Sequence, residues 1–378
     1  MAAGLDGDRA FARGRAFGAL GLLFLVVHVG VPLAGAVAFR RFGEASLKQA
    51  LAARTGDPLV LDTLGGLFSR DGQHYLAIAS EGYRSPQSWA FFPLYPMAAR
   101  WLGVVVVGAP RAGLAISLLA SLACCALLYS TAAASHGERM ATRAVALFLA
   151  FPTHFFFGAF YTEALFFALV AFAMQSYARD RWALASAAGA LAAATRSSGV
   201  LLVPSIVVAA LHRQGWRKLD PRAAWLALVP AATAAFFAAG FLATGRVAAP
   251  LAAQHAWARK ATFPLLTIAQ AAQDLRLDPL DLQRGADVAA VLLGFALAAR
   301  SLRRVPAAQS VYFVLALVMP LSSGLVHSMA RYVAGIPAVY LVLARDLGTA
   351  RRFVPVFTLS LAAQVYLAIR FCEGRGLV

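Results

Sequence analysis

The residues of this chain best suited to chemistry stand close together in one segment, FSRDGQHYLAIASEGYRSPQSWAFFPLYPMAARW, over positions 68–101. Acid, imidazole, amide, hydroxyl-bearing aromatics and prolines crowd there, in a sequence that elsewhere is apolar and helical in pattern. Asp71 and His74 lie about one helical turn apart, in a short periodic run with Tyr75, Ile78 and Ala79. A helix over this run puts carboxylate and imidazole on one face, and Gly82 supplies its stop. A carboxylate so placed has two uses. It can take a proton from a hydroxyl as a general base, or it can satisfy the free N–H groups of a helix start as a cap. The two are compatible, because a cap position also fixes the group in space. Downstream, Phe91, Phe92 and Tyr95 interleave with Pro93 and Pro96, which break regular helix and suit a membrane–water boundary.

The elements that must hold this segment are apolar. The 378 residues are 61% hydrophobic and 13% charged, with a mean hydropathy of +0.70, too little polar surface for a water-soluble globule. A formal charge of +17 does not point to nucleic acid, because Lys and Arg recur in small clusters between apolar runs, the pattern of membrane orientation. Cys124 and Cys125 are adjacent and Cys372 stands near the C-terminus, so neither a disulfide framework nor a cysteine metal motif is implied. The expected fold is an all-α polytopic membrane protein with about eleven transmembrane helices. They fall near 17–38, 110–134, 143–159, 164–178, 182–195, 199–211, 222–243, 285–300, 306–322, 332–344 and 353–370. Small triplets such as Ala34-Gly35-Ala36 mimic a signal-peptidase site, but the run before them is longer than a signal core, and it is read as the first helix.

Charge sets the expected topology. Arg9, Arg13 and Arg15 precede the first run and direct the N-terminus to the cytoplasm. Arg179 with Arg181, and Arg213 with Arg217 and Lys218, share that side, so 182–211 is expected to cross twice with Arg196 at the turn. Carried through, Arg139/Arg143, Arg300/Arg303/Arg304 and Arg345/Arg351/Arg352 are cytoplasmic as well. Residues 1–378 then form one integral domain of a cell membrane, with long exoplasmic loops at 39–109 and 244–284, the first bearing short interfacial helices. Asp71, His74, Glu163, Arg196, Gln254, His255, Arg259, Lys260, His327 and Arg331 all land on the exoplasmic side. A transporter would set such costly groups near the bilayer midplane on interrupted helices. Gathering them at one face instead suits a site fed by water from outside and by lipid from the side.

Each of the later constellations carries two readings. Glu163 in Tyr161-Thr162-Glu163 is favoured by the dipole of the helix it opens, or it serves a site. His154 among phenylalanines reads as a hydrogen-bonded interior histidine. Arg196, in Ala194-Thr195-Arg196-Ser197-Ser198-Gly199, is a snorkelling anchor or a phosphate clamp, since a guanidinium fork and nearby hydroxyls suit phosphate oxygens. Gln254, His255, Trp257, Arg259 and Lys260 belong to an interfacial helix on lipid head groups, or to the second half of a substrate site. His327-Ser328-Met329-Ala330-Arg331-Tyr332 completes the set, just before an apolar run.

The order Asp71-Gly72-Gln73-His74-Tyr75, Ile78-Ala79, Gly82-Tyr83 and then Ala90-Phe91-Phe92-Pro93-Leu94-Tyr95-Pro96 resembles the first-loop signature of the PIG-V type mannosyltransferases, the GPI mannosyltransferase 2 family and its bacterial relatives. Tyr161-Thr162-Glu163, Ala194 to Gly199, Gln254 with Trp257, and Ser328 with Arg331-Tyr332 follow in order, so the likeness runs from about residue 15 to about residue 345. That family often has Trp-Asp where this chain has Arg70-Asp71. The resemblance implies a GT-C glycosyltransferase with inverting transfer of a sugar, usually mannose, from a polyprenyl-phosphate donor to a hydroxyl of a lipid or glycan acceptor on the exoplasmic face. It gives Asp71 the part of catalytic base. Substrate binding falls to His74, Tyr75, Tyr95, Glu163, Arg196, Gln254, Trp257, Lys260, His327 and Arg331. Membrane lipids are the other expected partners, and nucleic acid is not one. No cofactor is implied and no metal is obligatory, since the first loop holds no DxD pair. Two rival readings are a transporter of polyprenyl-linked sugar or lipid and a non-catalytic subunit of a glycosylation complex.

Overall fold

The computed structural model describes residues 2–106, 108–216, 218–278 and 281–374, with side chains from residue 14 onward. Arg217 and the side chains of Arg9 and Arg13, used above for orientation, lie outside the described residues. Among the described residues the chain is helical throughout and has no strand. Five helices are long and apolar enough to cross a membrane by length and composition: Gly14–Phe42, Ala109–His136, Pro221–Thr244, Leu282–Ser301 and Ala350–Cys372. Each offers the roughly 20 residues that a hydrocarbon layer about 30 Å thick requires.

The shorter apolar helices are Glu163–Ala178, Trp182–Thr195, Ser197–Arg213 and Ala307–Leu321, the first and last of them largely buried and the second with Leu184 and Leu191 exposed. Glu163–Ala178 is apolar around its whole circumference, and Phe166, Phe167, Val170 and Met174 are all buried. A helix without a polar face belongs in a core. It forms one cluster with Cys124 and Leu128, with Val145 and Phe148, with Tyr312 and Phe313, and with Val339 and Tyr340.

Two of the expected runs fold differently. The run 143–159 is not one helix: Glu138–Leu149 stops, and the chain turns through a 3-10 segment at His154–Phe157 before Glu163. Pro152 accounts for the stop, because the residue before a proline is pushed out of helical geometry. His154 in this turn is buried with neither ring nitrogen hydrogen-bonded, against the expectation. Its ring packs instead against Phe148 at 4.5 Å and Phe157 at 5.0 Å. The run 332–344 is likewise divided, into Met329–Ala334 and Pro337–Asp346.

The polar groups separate to two ends. Glu163 opens its helix and Arg179 follows its last residue; sixteen residues at a rise of about 1.5 Å place them ~24 Å apart. Trp182–Thr195 runs back, so that Arg196 ends beside Glu163, and the chain reverses again through the 3-10 segment Ser197–Leu201. The reversal is tight. A Cβ on Gly199 would lie 2.3 Å from the Ala193 nitrogen, so only glycine fits. At the other end, Arg213 and Arg222 meet Asp180, Arg300 and Arg304 meet Asp346, and Arg143 hydrogen-bonds the Gly348 carbonyl. Basic clusters from five separate connections therefore gather away from the site.

The first loop is a set of short helices, with Ala45–Arg54, Asp71–Glu81 and Leu94–Gly103 as its longest. They close over an aromatic cluster of Phe39, Phe68, Tyr75, Tyr95, Phe160, Tyr161 and Phe371. This floor positions Asp71.

Candidate active site

Asp71 begins its helix from a backbone that few residues adopt. Arg70, the preceding residue, has φ +57° and ψ −122°, a strained conformation for a non-glycine residue, of the kind that clusters at functional sites. The turn is pinned from outside: Tyr161 Oη donates to the Ser69 carbonyl at 2.8 Å, and the Phe160 N–H to the Leu67 carbonyl at 3.1 Å. Arg70 itself reaches away, donating through Nη2 to the Gly374 carbonyl at 2.5 Å. The departure from Trp-Asp thus ties the first loop to the C-terminal end of the described chain.

The Asp71 carboxylate does not cap its own helix start. Oδ2 accepts from Arg331 Nη1 at 2.9 Å, a contact across 260 residues of sequence. Arg331 Nε lies 3.5 Å from Glu163 Oε1, within ion-pair distance though without a hydrogen bond. Arg196 Nη1 donates to the same Glu163 oxygen at 2.5 Å and to Thr162 Oγ1 at 3.2 Å. Thr162 in turn stands 3.3 Å from Tyr75 Oη. Two carboxylates and two guanidiniums form one chain, Asp71–Arg331–Glu163–Arg196, and all four sit at or within a turn of helix ends, the two acids at N-terminal ends that favour negative charge and Arg196 at a C-terminal end that favours positive charge.

Exposure divides the two acids. The Glu163 side chain is 3% exposed, whereas that of Asp71 is 30% exposed. Burial pushes the Asp71 carboxyl up, but Arg331, helped by Arg196 and His74, outweighs it and holds the group below its ordinary value. Burial lowers the His74 imidazole from its ordinary value, opposed only in part by Asp71.

Around this chain of charges stand aromatic rings. Arg196 and Arg331 each lie 5.5 Å from the Tyr332 ring centre, and Arg331 also 5.2 Å from that of Phe156. His74 stacks on Phe91 at 4.9 Å and meets the edge of Trp257 at 5.5 Å. Gln254 ties the second long loop to the first by donating from Nε2 to the Ala90 carbonyl at 3.2 Å. Tyr95 is wholly buried behind Tyr75, its hydroxyl bound to the Gly113 carbonyl and Ser117. Lys260 has an exposed side chain and is held by its backbone N–H, which donates to the Ser323 carbonyl. His327 is exposed at the rim, its Nδ1 accepting from Gln283 Nε2 at 2.9 Å. The sequence-derived set therefore converges on Asp71, Tyr75, Glu163, Arg196 and Arg331, with His74, Gln254 and Trp257 adjoining, Tyr95 behind and Lys260 and His327 outside.

Three residues of the site had no role assigned from the sequence. Thr162 and Tyr332 flank residues that were singled out, and carry the hydroxyl and the ring that join the cluster. Asp287 is 3% exposed in the helix Leu282–Ser301, and its Oδ2 accepts the Ser328 N–H at 3.1 Å. Ser328 has φ +64° and makes no side-chain cap, so Asp287 caps the Met329–Ala334 helix from a neighbouring element, three residues before Arg331. Its signal was available: an acid inside an apolar run is costly without a partner.

Three quarters of this constellation falls within residues 49–267, the stretch that matches the family model for mannosyltransferase (PIG-V). The match covers more than half of the chain, and the protein belongs to that family. The GPI alpha-1,6-mannosyltransferase 2 of Mus musculus is 37% identical over 160 residues, 39% of this chain and 32% of that protein. The Homo sapiens counterpart is 33% identical over 159 residues, with the same coverage. The GPI mannosyltransferase 2 of Drosophila pseudoobscura pseudoobscura is 32% identical over 130 residues, 32% of this chain and 28% of that one. The chain thus spans about a third of the length of the curated relatives it matches. Among solved structures, an Archaeoglobus fulgidus oligosaccharyltransferase tethered to an acceptor peptide aligns over 93% of this chain and 55% of its own, at 12% identity and a TM-score of 0.45. His327 and Arg331 lie beyond the family match, and it is the geometry that brings Arg331 to Asp71.

Proposed function

We propose that the protein transfers a sugar, most simply mannose, from a polyprenyl-phosphate donor to a hydroxyl of a lipid or glycan acceptor at the exoplasmic membrane face. The acceptor oxygen attacks the anomeric carbon from the side opposite the phosphate. As that bond forms, the bond from the anomeric carbon to the phosphate oxygen breaks, its electron pair leaving with the lipid phosphate. The configuration is inverted. The acceptor's proton passes to Asp71, whose Oδ2 is occupied by Arg331, so Oδ1 receives it.

The observation that carries this reading is the asymmetry of the two acids. Glu163 is closed off and neutralises Arg196, while Asp71 is ionised and partly open to a substrate. Pairing with Arg331 makes Asp71 a weak base. That suits a reaction whose leaving group, a phosphate, departs as a stable anion and needs no protonation, so that the hydroxyl proton moves late. Membership of the mannosyltransferase family supports the sugar. The exoplasmic assignment rests on the basic clusters gathered at the other end of the bundle, the side the positive-inside rule makes cytoplasmic.

The test is incubation of the purified protein in lipid nanodiscs with polyprenyl-phosphate mannose and membrane lipids, with products identified by mass and by anomeric configuration. A mannosylated lipid or glycan of configuration opposite to the donor is expected. Vesicle uptake of intact donor with no new glycosidic bond would make the protein a transporter and overturn the reading.

A further inference from the structure

We infer that Arg259 is the residue that binds the donor's phosphate, an assignment that rests on the transfer reading above. Within the charged chain, Arg331 and Arg196 already face Asp71 and Glu163, so that cluster of four groups is neutral as a whole. Arg259 adjoins it with a different set of partners. Nη1 donates to Gln254 Oε1 at 2.6 Å and Nη2 to Tyr332 Oη at 3.3 Å, and no ion pair among the described residues involves it. Tyr332 is the same residue whose ring lies 5.5 Å from both Arg196 and Arg331, which puts the three guanidiniums around one phenol. Arg259 thus brings a positive charge to the edge of a neutral cluster. Two of its five N–H donors are engaged with uncharged acceptors, and the remainder keep the fork geometry that matches phosphate oxygens.

The backbone is built to hold it there. Ala258, immediately before, has φ +55°, a left-handed turn uncommon for a residue with a side chain. Immediately after, the Lys260 N–H donates to the Ser323 carbonyl and the Thr262 N–H to the Ser322 carbonyl, both at 3.0 Å, strapping the segment to the loop that leads to Arg331. Gln254 is oriented in its turn by the Ala90 carbonyl of the first loop. Arg259 is half-buried while its neighbour Lys260 is exposed. Of these two adjacent cations, it is Arg259 that turns toward the cluster.

The experiment measures binding of polyprenyl phosphate without sugar to the full-length protein in nanodiscs, with uncharged polyprenol as the second probe, alongside the donor KM. Arg259→Gln is expected to weaken polyprenyl phosphate binding and raise the donor KM by about 10- to 100-fold, the loss of hydrogen bonds to a charged group. Polyprenol binding stays unchanged. Arg259→Lys, which keeps the charge and loses the fork, gives a smaller loss, and it carries the test if the glutamine variant does not fold. Arg246→Gln, exposed in the same loop, leaves every value as in the wild type. Wild-type affinity for polyprenyl phosphate in both Arg259 variants overturns the assignment alone. A wild-type protein that neither binds polyprenyl phosphate nor transfers mannose overturns it together with the transfer reading.

Discussion

Glu163 and Asp71 are the same chemical group put to different work. Glu163 opens a helix that is otherwise apolar, and its carboxylate stands against two guanidiniums with 3% of the side chain exposed. Removing that charge leaves Arg196 without its carboxylate in a poorly solvated site. Breaking a buried ion pair from one side costs about 3–5 kcal/mol. Glu163→Gln is therefore expected to lower the thermal midpoint of the protein in detergent or nanodiscs, and to lose activity along with stability. A variant with a wild-type melting profile would mean that Arg196 is solvated and that the cluster is not the structural anchor described here. The dipole reading of Glu163 and the functional one turn out to be compatible, since the first position of a helix is also where an acid is held most firmly. The sequence placed Arg331 on the same side as Asp71 and in the same site, but not the direct pairing of the two, which depends on how their helices pack.

Among the elements, legibility followed the signals available. The double run of 182–211, with Arg196 at its turn, could be read from the basic residues flanking it, and the two helices Trp182–Thr195 and Leu202–Arg213 match. The break in 143–159 was missed because the phenylalanines of the following turn keep the average hydropathy high across Pro152, which ends the helix. The short helix Met329–Ala334 was hidden for a related reason. It is only six residues long, too short to persist alone, and it is held by a cap that comes from Asp287 on another helix. Asp287→Ala should therefore cost about 0.5–2 kcal/mol, the range for loss of a helix cap, and should displace Arg331 so that activity falls further than stability does. Asp287→Asn keeps an oxygen acceptor for the Ser328 N–H and is expected to retain most of both. Equal kcat and donor KM in the alanine variant and the wild type would separate this cap from the site.

At the scale of the whole molecule, the fold places its charges at two ends of an apolar bundle and its chemistry at one of them. The membrane class and the two-ended distribution were present in composition and in the spacing of basic clusters. The number of full crossings was less accessible, since helices such as Glu163–Ala178 and Ala307–Leu321 are short for a bilayer and largely covered by their neighbours. What this architecture provides is a polar cluster drawn from the first loop, the Glu163 helix, the Arg196 turn and the Arg331 helix, with the second long loop beside it. Most of its charged groups neutralise one another, and a single acid is left partly open. The most direct test of that arrangement is the turnover of Asp71→Asn, measured beside its binding of polyprenyl phosphate. Arg331 keeps Glu163 within ion-pair distance in this variant, so folding and phosphate binding should persist while transfer falls by about 10²- to 10⁴-fold, the usual share of a general base. Transfer at the wild-type rate by a folded Asp71→Asn protein would contradict the account.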